Sequence, residues 1–100
     1  MKGNEIVIIA DYNASTSLTL TEIIEITQTS EAFIQELIDF GILIPRDQVF
    51  SLEHLQRIKT VQHLQQDLEI NMAGAAMVLE LLDQIDEMEE RLAFFERMAL

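Results

Sequence analysis

Six apolar residues near the C-terminus, Val78, Leu81, Ile85, Met88, Leu92 and Phe95, follow one another at alternating spacings of three and four. A repeat of about 3.5 residues lines one side of an α-helix with a coiled-coil seam. It predicts a long helix over residues 71–98, capped by Asn71. Leu79, Leu82 and Phe94 stand beside the seam, so this helix carries more apolar surface than a 100-residue chain easily covers. Two arrangements bury such a stripe: packing back on the preceding helices, or pairing with a second copy. A homodimer is the expectation, with the six seam residues at its interface. In a parallel pair Arg91 would meet the partner's Glu96, while Asp83, Asp86, Glu87, Glu89 and Glu90 would repel, so the sequence leaves the orientation open.

Ahead of this helix the chain reads as short elements of one domain spanning residues 1–100. Ile6 to Ile9 is a β-branched run expected to form a buried strand, and Asp11 to Ser17 a polar connection. Thr19 followed by Glu22 matches a capping box, and Leu20, Ile23, Ile24 and Thr27 share one face of a first helix ending near Gln28. Ser30 caps a second helix, with Phe33, Ile34, Leu37 and Ile38 as its buried stripe and Glu31, Gln35, Glu36 and Asp39 opposite. Gly41 supplies the left-handed residue that ends it. Ile42-Leu43-Ile44 then reads as a strand, Pro45 to Gln48 as a turn, and Val49-Phe50 as an antiparallel return, giving a small three-stranded sheet with residues 6–9. Ser51 caps a third helix with apolar positions at Leu52, Leu55, Ile58, Val61, Leu64 and Leu68, and Glu53 and Arg57 are spaced for an i,i+4 pair. Met72, Met77, Met88 and Met98 fall at helical spacing among Ala and Leu and read as core. The small residues 73–76 allow another helix, internal or a partner's, to approach closely.

Charge narrows the range of functions. With 18 Asp and Glu against 6 Lys and Arg, the formal net charge is -12. Such a field repels nucleic acid and anionic membranes and favours encounter with cationic proteins. There is no Cys for a disulfide or a thiolate metal site, which fits a reducing compartment, and no run of ~20 apolar residues for a membrane span; a cytoplasmic protein is the expectation. His54 and His63 are nine residues apart without companion ligands, so no metal site is read from them. Carboxylate pairs such as Glu89 and Glu90, or Asp83 and Asp86, lie on a charged helix without the apolar enclosure that separates carboxylate pKa values. No nucleophile elbow or phosphate-binding loop is present, so neither an enzyme nor a cofactor or small-molecule substrate is expected.

The order helix, helix, Gly41-Ile42-Leu43-Ile44-Pro45, Val49-Phe50, Leu-rich helix over residues 18–68 resembles a MerR-type winged helix-turn-helix. The whole chain is more similar to the chaperone modulator CbpM family, through Phe40 to Arg46, Val49-Phe50-Ser51, and above all Asp67 to Asp83. The fold so implied is mainly α: a MerR-like winged helix-turn-helix with a small β-sheet and a long C-terminal helix. The resemblance implies a partner as well, the J-domain of the DnaJ-like co-chaperone CbpA, whose stimulation of DnaK the family inhibits. A J-domain meets DnaK through a basic helix, which an acidic face can occupy. Partner contacts are therefore expected at Glu22, Glu25, Glu31, Gln35, Glu36 and Asp39. A DNA-reading relative carries Arg and an aromatic where this chain has Gln35 and Glu36, and a longer wing than Pro45 to Gln48. Two alternatives stand beside this reading: a MerR-like transcription regulator on DNA, and an adaptor or dimerisation module for another basic protein.

Overall fold

The computed structural model describes residues 17–99. The expected strand Ile6–Ile9 lies outside the described residues, as does the connection after it up to Thr16. Four helices account for most of what is described: α1 Leu20–Thr27, α2 Glu31–Asp39, α3 Leu52–Leu68 and α4 Met72–Met98. Each begins where a side chain satisfies amides that the first turn leaves without partners. Thr19 and Glu22 form the capping box of α1. The Ser30 hydroxyl accepts from the Phe33 amide at 3.1 Å, and Asn71 Oδ1 accepts from the Gly74 amide at 2.8 Å.

The end of α2 overturns the expected sheet. Gly41 adopts φ +76°. Its amide donates to the Ile38 carbonyl at 3.0 Å, and the Ile42 amide donates to the Leu37 carbonyl at 2.9 Å. This is a Schellman closure, with Ile42 and Leu37 both buried in the core. The Leu43 amide also turns to the Leu37 carbonyl, at 3.3 Å, and the Ile42 carbonyl accepts from Arg57 Nε at 2.8 Å. These bonds commit the Ile42 backbone and the Leu43 amide to α2 and α3 instead of a ladder, and no strand forms among the described residues. Two isolated antiparallel bridges remain, Leu18 with Phe50 and Arg46 with Val49. The second closes a two-residue turn in which Asp47 (φ 53°) and Gln48 (φ 62°) are both left-handed, so the wing is reduced to four residues.

Leu18, Ile23, Ile34, Leu37, Leu43, Leu55, Ile58 and Val61 are fully buried and join α1, α2 and α3 around one core. Gln28 ends α1 in the left-handed region, and the Gln62 side-chain amide on α3 donates to the Thr27 carbonyl at 3.1 Å, bracing the turn between α1 and α2. The first two turns of α4 dock through Met72, Ala75 and Leu79, so the small residues of this segment accommodate the chain's own core.

The rest of α4 departs from several expectations. Of the four methionines read as core, only Met72 is buried; Met77, Met88 and Met98 are exposed, as is Leu68 at the end of α3. In the seam, Val78 packs against the core, whereas Leu81, Ile85, Met88, Leu92 and Phe95 are 50–64% exposed. At 100° per residue the seam is centred roughly 140° around the helix from Met72, Ala75 and Leu79. The docked face and the seam are therefore different sides of α4, and packing back on the chain's own core cannot bury both.

Candidate functional site

On α2, Glu31, Gln35, Glu36 and Asp39 all face solvent, while Ile34 and Leu37 are buried and Phe33 and Ile38 are partly so. The polar residues span an arc of about 140° and the apolar stripe fills the other side. Gln35 Nε2 donates to Asp39 Oδ1 at 3.0 Å, and Glu31 stands a turn earlier on the same side. No Lys or Arg lies on α2. Within this helix-turn-helix, α2 is the element that a DNA reader would insert into a groove, and here it offers carboxylates.

On α1, Glu25 and Glu22 are also solvent-facing, opposite the buried Ile23, Ile26 and Thr27. Glu22 is committed locally, because its Oε1 accepts from the Thr19 amide at 2.9 Å. Of the six acidic-face residues expected to bind a partner, the structure links Gln35 and Asp39 directly and ties Glu22 to its own cap.

The histidines are accounted for by local structure. His54 completes a second capping box: its amide donates to Ser51 Oγ at 3.2 Å, and its Nδ1 accepts from the Ser51 amide at 3.0 Å. The ring meets Phe50 edge-on, centroids 5.8 Å apart. Burial lowers the His54 pKa below the usual value, which keeps Nδ1 available as an acceptor. His63 lies 3.3 Å from Asp67 on an exposed turn. Among the described residues no His, Asp and Glu cluster is placed to hold a metal ion, and no helix is long and apolar enough to cross a membrane.

Sequence reasoning missed a cleft of about 270 Å³ between the Phe40-Gly41-Ile42 corner, Arg57 on α3, and Ala76, Met77, Glu80 and Asp83 on α4. Arg57 lines it; rather than pairing with Glu53, it donates through Nη1 to Asp83 Oδ1 at 2.9 Å. Nothing local announces a contact across 26 residues. The one signal available was Phe40, a large apolar residue just before the helix-ending glycine.

A model of the MerR helix-turn-helix family of regulatory proteins matches residues 18–97. The chain is also 32% identical over 88 residues to the chaperone modulatory proteins CbpM of Coxiella burnetii strains Dugway 5J108-111 and RSA 331 / Henzerling II, covering 83% of this chain and 83% of each relative. The chain belongs to the CbpM family, within the MerR-like helix-turn-helix proteins. No solved structure gives a significant match. For this CbpM-family chain the match takes in both the acidic α2 and nearly all of α4.

Proposed function

We propose that this chain is a non-enzymatic chaperone modulator that binds the J-domain of a CbpA- or DnaJ-like co-chaperone and keeps it from DnaK. The observation that carries the reading is the face of α2, where Glu31, Gln35, Glu36 and Asp39 stand in solvent without a single cation. The name of its relatives supports a role in chaperone modulation, and the resemblance drawn from the sequence supplies the J-domain. An acidic row on a capped, packed helix suits a basic helix: opposite potentials speed encounter, and occupation excludes a competitor for the same surface. Glu25 on α1 adds another exposed carboxylate, and Glu22 contributes less because its cap holds it. The partner shares the cytoplasm with this chain, which acts as a homodimer joined through Val78, Leu81, Ile85, Met88, Leu92 and Phe95.

Membership of the MerR-like proteins favours DNA as a second reading. The charge opposes it, since phosphate neutralisation supplies most non-specific affinity for a duplex and α2 offers only repulsion.

Calorimetric titration into the isolated J-domain, with and without DnaK, tests the first reading. Saturable binding that DnaK competes away is expected, and Glu36→Lys with Asp39→Lys weakens it, more so as salt is lowered. Absence of binding across a salt range would sink the co-chaperone reading, and tight sequence-dependent duplex binding would replace it.

A further inference from the structure

The cleft beside Arg57 has features of a receptor for a single side chain. Phe40 is 45% exposed and Met77 66% exposed, so each leaves an apolar surface at its mouth that the fold does not use. Its volume, about 270 Å³, falls below the roughly 300–1,000 Å³ of small-molecule sites. A side chain delivered by a partner fits this scale better than a metabolite.

Charge selects which side chain. Inside the cleft Arg57 is compensated by Asp83 at 2.9 Å and by the Ile42 carbonyl at 2.8 Å. Glu80 is left as the uncompensated charge of the lining, in a chain whose formal net charge is -12. An aromatic ring, a thioether and one uncompensated carboxylate lining an open cleft form a receptor for a long cationic side chain, whose stem packs on the apolar groups while its head pairs with the carboxylate. We infer that this cleft takes an arginine side chain from a basic partner helix, anchoring a segment that lies along the acidic face of α2. The inference rests on the reading of the chain as a binder of a basic protein and adds an anchor on α4 to it. Phe40 directly follows Asp39, so the anchor and the acidic row adjoin. Around the α4 axis Glu80 and Asp83 lie off the seam and Met77 stands at its edge, so the carboxylate side of the cleft stays open in a dimer formed through the seam.

The test is an NMR titration of the full chain with N-acetyl-arginine methylamide, using N-acetyl-norleucine methylamide as the neutral control. Saturable amide shifts confined to Gly41, Ile42, Met77 and Glu80, absent with norleucine, are the expected result. Shifts spread over all the carboxylates, an equal response to norleucine, or no response overturns the cleft as a receptor. A Phe40→Ala, Glu80→Gln double variant, altered only at exposed positions, is expected to bind the isolated J-domain about tenfold more weakly at unchanged helix content. Unchanged J-domain affinity overturns the anchor and leaves the co-chaperone reading standing. Failure of the unaltered chain to bind the J-domain overturns that reading instead, while the arginine titration still decides the cleft.

Discussion

Arg57 Nη1 lies 2.9 Å from Asp83 Oδ1, and the same guanidinium donates through Nε to the Ile42 carbonyl at 2.8 Å. One side chain on α3 thus holds both the corner after α2 and the fourth turn of α4. The two ends of the ion pair differ in surroundings: the Arg57 side chain is 19% exposed and that of Asp83 54%.

That asymmetry predicts unequal costs. Arg57→Ala strips the Ile42 carbonyl of its partner in a partly buried place and is expected to destabilise by about 1–3 kcal/mol. Asp83→Ala removes only a solvent-facing partner, for about 0–1 kcal/mol. Urea unfolding of the two variants checks this, and equal losses would contradict it.

His54 makes stability depend on pH. Burial lowers its folded-state pKa below the 6.5 of an unperturbed histidine, so in the window between those two values the unfolded chain binds the extra proton more readily. Stability from this group is fully present above 6.5 and is lost as pH falls through the folded pKa, when Nδ1 can no longer accept from the Ser51 amide. His54→Gln retains a side-chain acceptor for the capping box but does not titrate. The difference in stability between the natural chain and this variant, followed from pH 7.5 to 5, is expected to shift in favour of glutamine as pH falls.

Backbone conformation gives two changes of opposite sign. Gly41→Ala places a side chain at φ +76° and is expected to cost about 1 kcal/mol, through strain alone because nothing crowds the added methyl. Gln48→Gly relieves a left-handed non-glycine in the wing turn and is expected to add about 0.5–1 kcal/mol. Thermal unfolding orders the three proteins.

Carboxylates in the exposed seam would oppose self-association. If the proposed seam dimer forms, the natural chain is expected to sediment as a dimer and Ile85→Glu with Leu92→Glu as a monomer at the same concentration, with the folded core retained. A dimer unaffected by both changes would place the interface elsewhere.

The caps at Thr19, Ser30, Ser51 and Asn71 and the turn at Gly41 were legible because each signal lies within a few residues of what it controls. The acidic face of α2 was readable for the same reason, as helical spacing separates Glu31, Gln35, Glu36 and Asp39 from Ile34 and Leu37. The strand expected at Ile42 to Ile44 failed because β-branched composition does not reveal that the Leu37 carbonyl and Arg57 already claim those backbone groups. His54 as a capping partner was missed because glutamate or glutamine is the usual residue there. The cleft was out of reach, being assembled from residues as distant as Phe40 and Asp83.

The part of α4 beyond Leu82 has consequences for cooperativity. Sixteen residues, 83 to 98, continue the helix with Asp83 as their last tie to the body. A helical segment of that length is marginal in water by itself. In the single chain, amide exchange should therefore find a boundary inside a continuous helix: slow protons up to Leu79, where opening requires the core to unfold, and fast ones beyond, where fraying suffices. Any macromolecule that grips the outer half would slow those protons selectively, so the tail reports its own occupancy.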